Sequence, residues 1–270
     1  MDRADPPPLR HRGLQIQAMK EYYDRRAPEY DDWYLGTGLY ADRERPGWDK
    51  ELRALERLIS RLPPSRTLDV ACGTGFLTQH LKGGVVGLDQ SESMLNMAWN
   101  RIPEGSFVQG DAFSLPFPDS SFDRVLTGHF YGHLQAPERR RFLAEAYRVA
   151  PELVVVDAAL RDEVEAEEWQ KRTLSDGSRY EVYKRFFTGR GLAEEIGGGE
   201  ILFEGRWFVV VRAVFHRVQS RRALFSPQVS FRWPSTEVQD TRISRVGGWY
   251  KVARVVESGR IGERRTSSHG

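Results

Sequence analysis

A short apolar strand that runs straight into two glycines, Leu68-Asp69-Val70-Ala71-Cys72-Gly73-Thr74-Gly75, leaves this chain few folds to choose from. A strand feeding a glycine turn and then a helix brings backbone to the carboxyl edge of a sheet. Gly73 and Gly75 remove the side chains that would block close approach there. The surrounding sequence repeats the alternation. Apolar positions Leu52, Leu55, Leu58, Ile59 and Leu62 predict a helix over 48–62, stopped by Pro63-Pro64. A helix is expected over 76–81, ended by Gly83-Gly84, and then the strand Val85-Val86-Gly87-Leu88-Asp89. Ser91 caps a helix through Met94, Leu95 and Ala98, and further strands are read at 106–110, 122–127 and 152–157, with a helix over 138–150. Strands separated by helices imply a Rossmann-like α/β fold with a mainly parallel sheet and helices on both faces. Strands at 201–204 and 207–214 add an antiparallel hairpin that completes seven strands.

Upstream, Tyr22, Tyr23, Tyr30, Trp33 and Tyr34 crowd a helical region that Pro28 divides, which predicts an N-terminal helical cap. The chain divides into a flexible segment 1–14, a domain over 15–216 with a charged, aromatic insert at 161–188, and a basic extension 217–270. The insert reads as an amphipathic cover helix. In the extension, 249–256 has the alternation of a strand, but the whole reads neither as a clean second domain nor as simple disorder.

Charge is unevenly placed. Residues 217–270 hold eleven basic and four acidic side chains, while the rest of the chain holds 29 basic and 34 acidic, so the globular part is mildly acidic. That disfavours a nucleic-acid partner without excluding one through the tail. A single cysteine, Cys72, rules out an intramolecular disulfide and any cysteine-rich metal site. With no 18-residue apolar run and no secretory leader, the expectation is a cytoplasmic protein that has no transmembrane segment and no metal.

The acids carry the chemistry. Asp89 ends the second strand, 20 residues after Asp69, where a carboxylate can accept both vicinal hydroxyls of a ribose. Phe76, Leu77 and Thr78 follow Gly75, so the third glycine of a dinucleotide fingerprint is missing. Asp69 would repel phosphate but can receive an ammonium. A cationic nucleoside lacking phosphate suits the site better than a dinucleotide. No Gly-Lys-Ser/Thr follows the glycines, which excludes a Walker phosphate loop.

Four ordered runs make the sequence resemble the class I S-adenosylmethionine-dependent methyltransferases, in particular the small-molecule branch that includes the quinone-biosynthesis C-methyltransferases. They are Leu68 to Gly75, Gly87-Leu88-Asp89-Gln90-Ser91-Glu92-Ser93-Met94-Leu95, Gly110-Asp111-Ala112-Phe113-Ser114-Leu115-Pro116-Phe117 and Ser121-Phe122-Asp123-Arg124-Val125. The resemblance spans about residues 20–215 and not the tail. It implies transfer of a methyl group from S-adenosylmethionine to a small molecule by in-line displacement, leaving S-adenosylhomocysteine. It also implies roles: Asp69, Ala71, Gly73 and Gly75 around the methionyl part, Asp89 at the ribose, Gln90 and Met94 near the adenosine. Asp111 meets the adenine amino group with Ala112 or Phe113 beside the ring. Thr127 borders the cofactor, and Tyr23 and Tyr30 cover it. Ala71 stands where a glycine is common, which is tolerable if that position keeps a negative φ.

Methyl transfer from a sulfonium needs alignment and exclusion of water, and a base only where the acceptor must lose a proton. His129 and His133 are the catalytic candidates; four residues apart, they share a face if a helix begins there. Loop packing is the alternative for both. The acceptor is expected against Tyr22, Trp169, Tyr180, Tyr183 and Phe187, with Lys184, Arg185 or Arg179 steering an anionic group. Two other classes stay open: a nicotinamide-dependent oxidoreductase, and an S-adenosylmethionine-binding or nucleic-acid-associated protein without transfer activity.

Overall fold

The computed structural model describes residues 19–215, 244–246 and 249–251. Expectations for the segment 1–14, for a helix start at 15, for the boundary at 216 and for strand character at 252–256 lie outside the described residues.

A helix over 19–26 (α1) leads through a 3-10 turn at Ala27–Glu29, which contains Pro28, to α2 (Asp32–Leu35). Then come α3 (Trp48–Arg61), β1 (Thr67–Val70), β2 (Val85–Asp89), α4 (Glu92–Arg101), β3 (Ser106–Gln109) and β4 (Arg124–Gly128). The chain continues with α5 (Ala136–Val149), β5 (Glu152–Ala158), β6 (Glu167–Thr173), β7 (Arg179–Arg185), α6 (Gly189–Glu195), β8 (Glu200–Glu204) and β9 (Phe208–Val214). Seven strands form one sheet in the order β3-β2-β1-β4-β5-β9-β8. The first five run parallel, and β9 pairs antiparallel with both β5 and β8. This is the Rossmann-like α/β sheet with an antiparallel C-terminal hairpin that the alternation predicted.

The strands at the centre are buried on both faces, so they read as continuous apolar runs. In β5, Leu153 and Val155 pack with Phe142, Val149 and Leu192 of the α5 and α6 side. Val154 and Val156 point the other way, onto Leu52, Leu55 and Ile59 of α3 and onto Tyr34. Alternation of side chains across a strand thus gives two apolar layers, one on each face.

Two local expectations are overturned. The helix over 76–81 is only a 3-10 turn, Thr78–His80, whose Thr78 hydroxyl is held by Asp69 at 2.6 Å. The insert at 161–188 is a β-hairpin, β6 paired antiparallel with β7, not a cover helix. Its turn carries Asp176-Gly177 with Gly177 at φ 82°, the left-handed geometry that tight hairpins require. The period-2 pattern of Tyr180, Val182 and Lys184 on the inner face was there in the sequence, masked by the charges between them.

By its contacts the chain divides into Met1–Val218 and Gln219–Gly270. In the second unit, β10 (Ser244–Val246) pairs antiparallel with β11 (Trp249–Lys251). Among the described residues no helix is long and apolar enough to cross a membrane.

Leu153→Ala is expected to cost about 3 kcal/mol, because it empties a fully enclosed site between two helices. Ile201→Ala on the exposed edge strand should cost under about 1 kcal/mol. Urea denaturation midpoints at unchanged m check the contrast.

Candidate active site

The parallel strands deliver their carboxyl ends to one edge, and the acids named from the sequence gather there. Asp89 is buried at the end of β2; one of its oxygens accepts the Gly73 N–H at 2.9 Å and the other the Ser91 N–H at 2.9 Å. Asp69 is buried at the β1 end, with a single side-chain donor in Thr78 Oγ1. Burial pushes the Asp69 carboxyl up to about 7 against the pull of the Thr78 bond, and pushes Asp89 up to about 6 against its backbone donors. Asp111 sits on the surface after β3, where Gly110 N–H donates to the Asp89 carbonyl and Asp111 Oδ1 accepts from Phe113 N–H at 2.8 Å. Ala112 is buried, and Phe113 lies under the Arg141 guanidinium at 5.0 Å. Half-buried Gln90 anchors Gln109 through its carbonyl, and buried Met94 faces the core from α4.

Ala71 does not keep a negative φ. It stands at φ 58°, because the chain must turn off β1 in one residue before Cys72 N–H bonds the Leu88 carbonyl. This left-handed geometry brings its Cβ against the carbonyl oxygen, the strain that glycine avoids. Gly73 and Gly75 also have positive φ. A Cβ on Gly73 would stand 3.6 Å from the Tyr30 ring, so Tyr30 lies directly over the glycine turn. A Cβ on Gly75 would stand 3.3 Å from the Ala98 Cβ of α4, so the glycine permits close helix packing. Thr127 donates its hydroxyl to the Val70 carbonyl at 2.8 Å and so braces the β1 end.

A small cleft opens here, lined by Tyr30, Tyr34, Asp69, Ala71, Cys72, Phe76, Leu77 and Gly128. This lining has one carboxylate and no cation. The nearby Arg101 is occupied: it donates to the Thr74 carbonyl and hydroxyl and pairs with Asp31. Sequence reasoning missed this clamp, in which Asp31 also accepts the Thr74 hydroxyl at 2.6 Å, and a second one, in which Ser91 Oγ donates to Asp24 at 2.6 Å. Together they fasten the N-terminal cap to the glycine turn and to the start of α4. Their partners lie 27 to 70 residues apart, so no local pattern announces them. Tyr23 is half-buried in the cap, and desolvation raises its phenol.

The acceptor side departs further from expectation. His129 and His133 share no helical face: His129 is a left-handed residue at φ 54° after β4, and His133 ends a 3-10 turn, Tyr131–His133. The His129 ring sits among Trp33, Tyr34 and Phe208 with its Nε2 buried and unpartnered, and burial drives its imidazole down to about 3. His133 is held far below its ordinary range by burial and then by Lys184. Its Nδ1 lies 2.7 Å from the Tyr183 carbonyl, which can only accept, so the proton is on Nδ1 and the lone pair on Nε2. Both rings are neutral near pH 7.

Lys184 is not free to steer a ligand. Its Nζ is buried 2.6 Å from Asp157, which also accepts from Gly132 N–H and Ala158 N–H. Burial alone would raise Asp157; Lys184, followed by His129, holds it below the usual carboxylate range. Arg185 pairs with Glu167 and Glu195, and Arg179 is exposed. The supposed aromatic wall is split by strand alternation. Trp169, 57% exposed, and Tyr183 pair across the outer face of the hairpin, and Phe187 joins the main core. Of that group, only Tyr180 meets Tyr22, with ring centroids 5.1 Å apart on the inner face.

Comparison with known proteins agrees with this edge. Residues 68–152 match the methyltransferase domain family. The demethylmenaquinone methyltransferase of Thermotoga maritima is 37% identical over 134 residues, covering 47% of this chain and 54% of that protein. That of Lactobacillus johnsonii is 33% identical over 141 residues, covering 48% and 54%. The chain spans about half the length of the curated relatives it matches. Among solved structures, the DhpI-SAM-HEP complex has a TM-score of 0.60 at 26% identity, covering 73% of this chain and 96% of that one. The DhpI-SAH complex has a TM-score of 0.57 at 27% identity, covering 73% and 95%. The fold is that of the class I methyltransferases, as the four motifs implied.

Ala71→Gly relieves the left-handed strain at the price of unfolded-chain entropy, so a net stabilisation of about 0.5–1 kcal/mol is expected. A thermal melt that fails to move upward would show that the turn is not strained.

Proposed function

We propose that this chain, which has the class I methyltransferase fold, transfers a methyl group from S-adenosylmethionine to a small-molecule acceptor and leaves S-adenosylhomocysteine. The observation that carries the reading is the glycine turn of β1, bordered by the buried carboxylates Asp69 and Asp89, with a cleft that holds no cation. A pyrophosphate there would face carboxylate charge in a lining that carries no cation, which disfavours a nicotinamide dinucleotide. A cationic nucleoside fits.

When bound, the donor supplies an electrophilic methyl on a positively charged sulfur that leaves as a neutral thioether. This chain's residues bind, orient and exclude water. In the proposed arrangement Asp89 accepts the ribose hydroxyls while its backbone donors hold it in place, and Asp69 favours the positive charge of the methionyl end. Asp111, next to Ala112 and Phe113, receives the adenine edge, with Gln90 and Met94 near the adenosine. Tyr30 and Tyr23 close over the glycine turn and keep water from the reacting atoms. Thr127 acts through the β1 end that it braces. His133, with its Nε2 lone pair available, is the better placed of the two histidines to take a proton from an acceptor. His129, caged by aromatic rings, shapes the wall.

The binding test is titration with S-adenosylhomocysteine and with NAD, followed by a metabolite screen using isotope-labelled methyl donor. Asp89→Asn should weaken S-adenosylhomocysteine binding by about 10- to 100-fold, the scale of losing charge-assisted hydrogen bonds. Preferential binding of NAD, or indifference to both ligands, would end the proposal.

A linked proton should report on the two acids. With Asp69 near 7 and Asp89 near 6 in the free protein, a fraction is protonated at pH 6.5, and a cationic ligand favours the ionised forms. Binding of S-adenosylmethionine at pH 6.5 should therefore release protons, and affinity should fall as pH drops from 7.5 to 5.5. Calorimetry in buffers of different ionisation enthalpy measures this, and Asp69→Asn should reduce the release.

A further inference from the structure

Among the described residues, two guanidiniums on the acceptor side have no acid to answer them. Arg26 lies on α1 with 7% of its surface exposed, yet its contacts are to neutral groups: the Tyr22 hydroxyl at 2.8 Å, the Tyr40 hydroxyl at 3.4 Å, and the Tyr30 ring face 4.8 Å from its guanidinium carbon. Among the described residues no carboxylate pairs with it. Arg172 projects from β6 on the inner face of the hairpin, directly across from Tyr180. One of its terminal nitrogens donates to Gln170, and its buried Nε has no partner. Tyr22 bonds Arg26, and Tyr180, its ring neighbour, stands opposite Arg172, so the two cations flank one pair of rings.

The acids in this neighbourhood are engaged elsewhere. Asp157 is matched by Lys184, Asp176 by Arg25, and Asp24 by Lys20 and Ser91. Glu29 accepts the Ser175 N–H, and Glu168 accepts from Gln170. The imidazoles of His129 and His133 are neutral. Arg26 and Lys184 act electrostatically on the first, and Lys184 and Arg172 on the second, so the cations and the two histidines share one region. Lys184 and Asp157 cancel, and among the described residues no ion pair takes up the charge of Arg26 or Arg172. A guanidinium cannot shed its charge when buried, so a partner-free site of this kind is costly unless an anion completes it.

We infer that the acceptor carries an oxyanion, a carboxylate or a phosphonate or phosphate group, which binds between α1 and the β6–β7 hairpin on the guanidiniums of Arg26 and Arg172. The inference rests on the methyl-transfer reading for its word acceptor, but the binding site stands on these side chains alone. Planar guanidiniums match the two or three coplanar oxygens of such groups in bidentate fashion. Both walls lie outside residues 68–152, the segment that matches the methyltransferase domain family.

The test is calorimetric titration of the full chain, saturated with S-adenosylhomocysteine, with benzoate, phenylphosphonate and neutral benzamide. At least one oxyanion should bind roughly tenfold or more tightly than benzamide, and the stronger of the two identifies the class. Arg172→Met should weaken that oxyanion by about tenfold or more while S-adenosylhomocysteine affinity stays within about twofold. Arg26→Gln should do the same where its melting curve shows it folded; otherwise Arg172→Met decides alone. Arg25→Gln, which removes an exposed cation from the same helix, should leave oxyanion binding unchanged. Equal binding of benzamide and both oxyanions, or equal losses in Arg25→Gln and Arg172→Met, would overturn the inference. Failure of the chain to bind S-adenosylhomocysteine with oxyanion binding intact would instead remove the methyl-transfer reading and leave the anion site standing.

Discussion

The Asp89 carboxylate holds the cofactor edge together. Each of its oxygens accepts a backbone N–H from a different turn, Gly73 after β1 and Ser91 after β2, so one side chain locks two strand-to-helix connections in register. Ser91 then caps α4 by accepting the Met94 N–H and ties down the N-terminal cap by donating its hydroxyl to Asp24. Without that carboxylate the two turns lose a common acceptor, and the glycine turn loses the constraint that presents its backbone. Carboxylates with several backbone donors are ordinarily easy to ionise. Here burial prevails and leaves the acid poised to gain from a positive ligand.

The cap repeats this logic from the other side. Asp31 takes the Thr74 hydroxyl and the Arg101 guanidinium, and Tyr30 settles on the one surface of the glycine turn that lacks a side chain. The hairpin reaches back to the cap at its tip, where Arg25 meets Asp176 and Ser175 N–H meets Glu29. These exposed links contribute little to stability, and they join the two walls that carry the Arg26 and Arg172 guanidiniums. A region closed by weak surface ion pairs over strong unsatisfied charge is built to hold something that brings its own negative charge.

Much of this was legible in the chain. The β1 motif, Asp89 and Asp111 announced the sheet edge, because the link between a strand end, a turn and the next helix is local and each step has its own residue signature. The N-terminal tyrosines were placed as a cover by resemblance, and Tyr30 is found over Gly73. What misled was also local. Charges at Glu168, Lys171, Arg172 and Glu181 suggested the solvated face of a helix, whereas alternation and Asp176-Gly177 specify a hairpin. His129 and His133 shared a helical spacing without sharing a helix, and Ala71 was assigned the sign of φ that an alanine prefers.

The sequence alone determined the sheet, its carboxyl edge and the acids upon it, since hydrophobic periodicity and turn chemistry act over a few residues. Only tertiary structure decided which charges are spent and which are spare. Lys184 is neutralised by Asp157, 27 residues away, whereas among the described residues Arg26 meets phenols and rings and no carboxylate, and nothing in their own neighbourhoods distinguishes the two. The net electrostatics of a buried site depend on what the fold brings within a few ångströms, and for long-range partners that is fixed by the packing of elements.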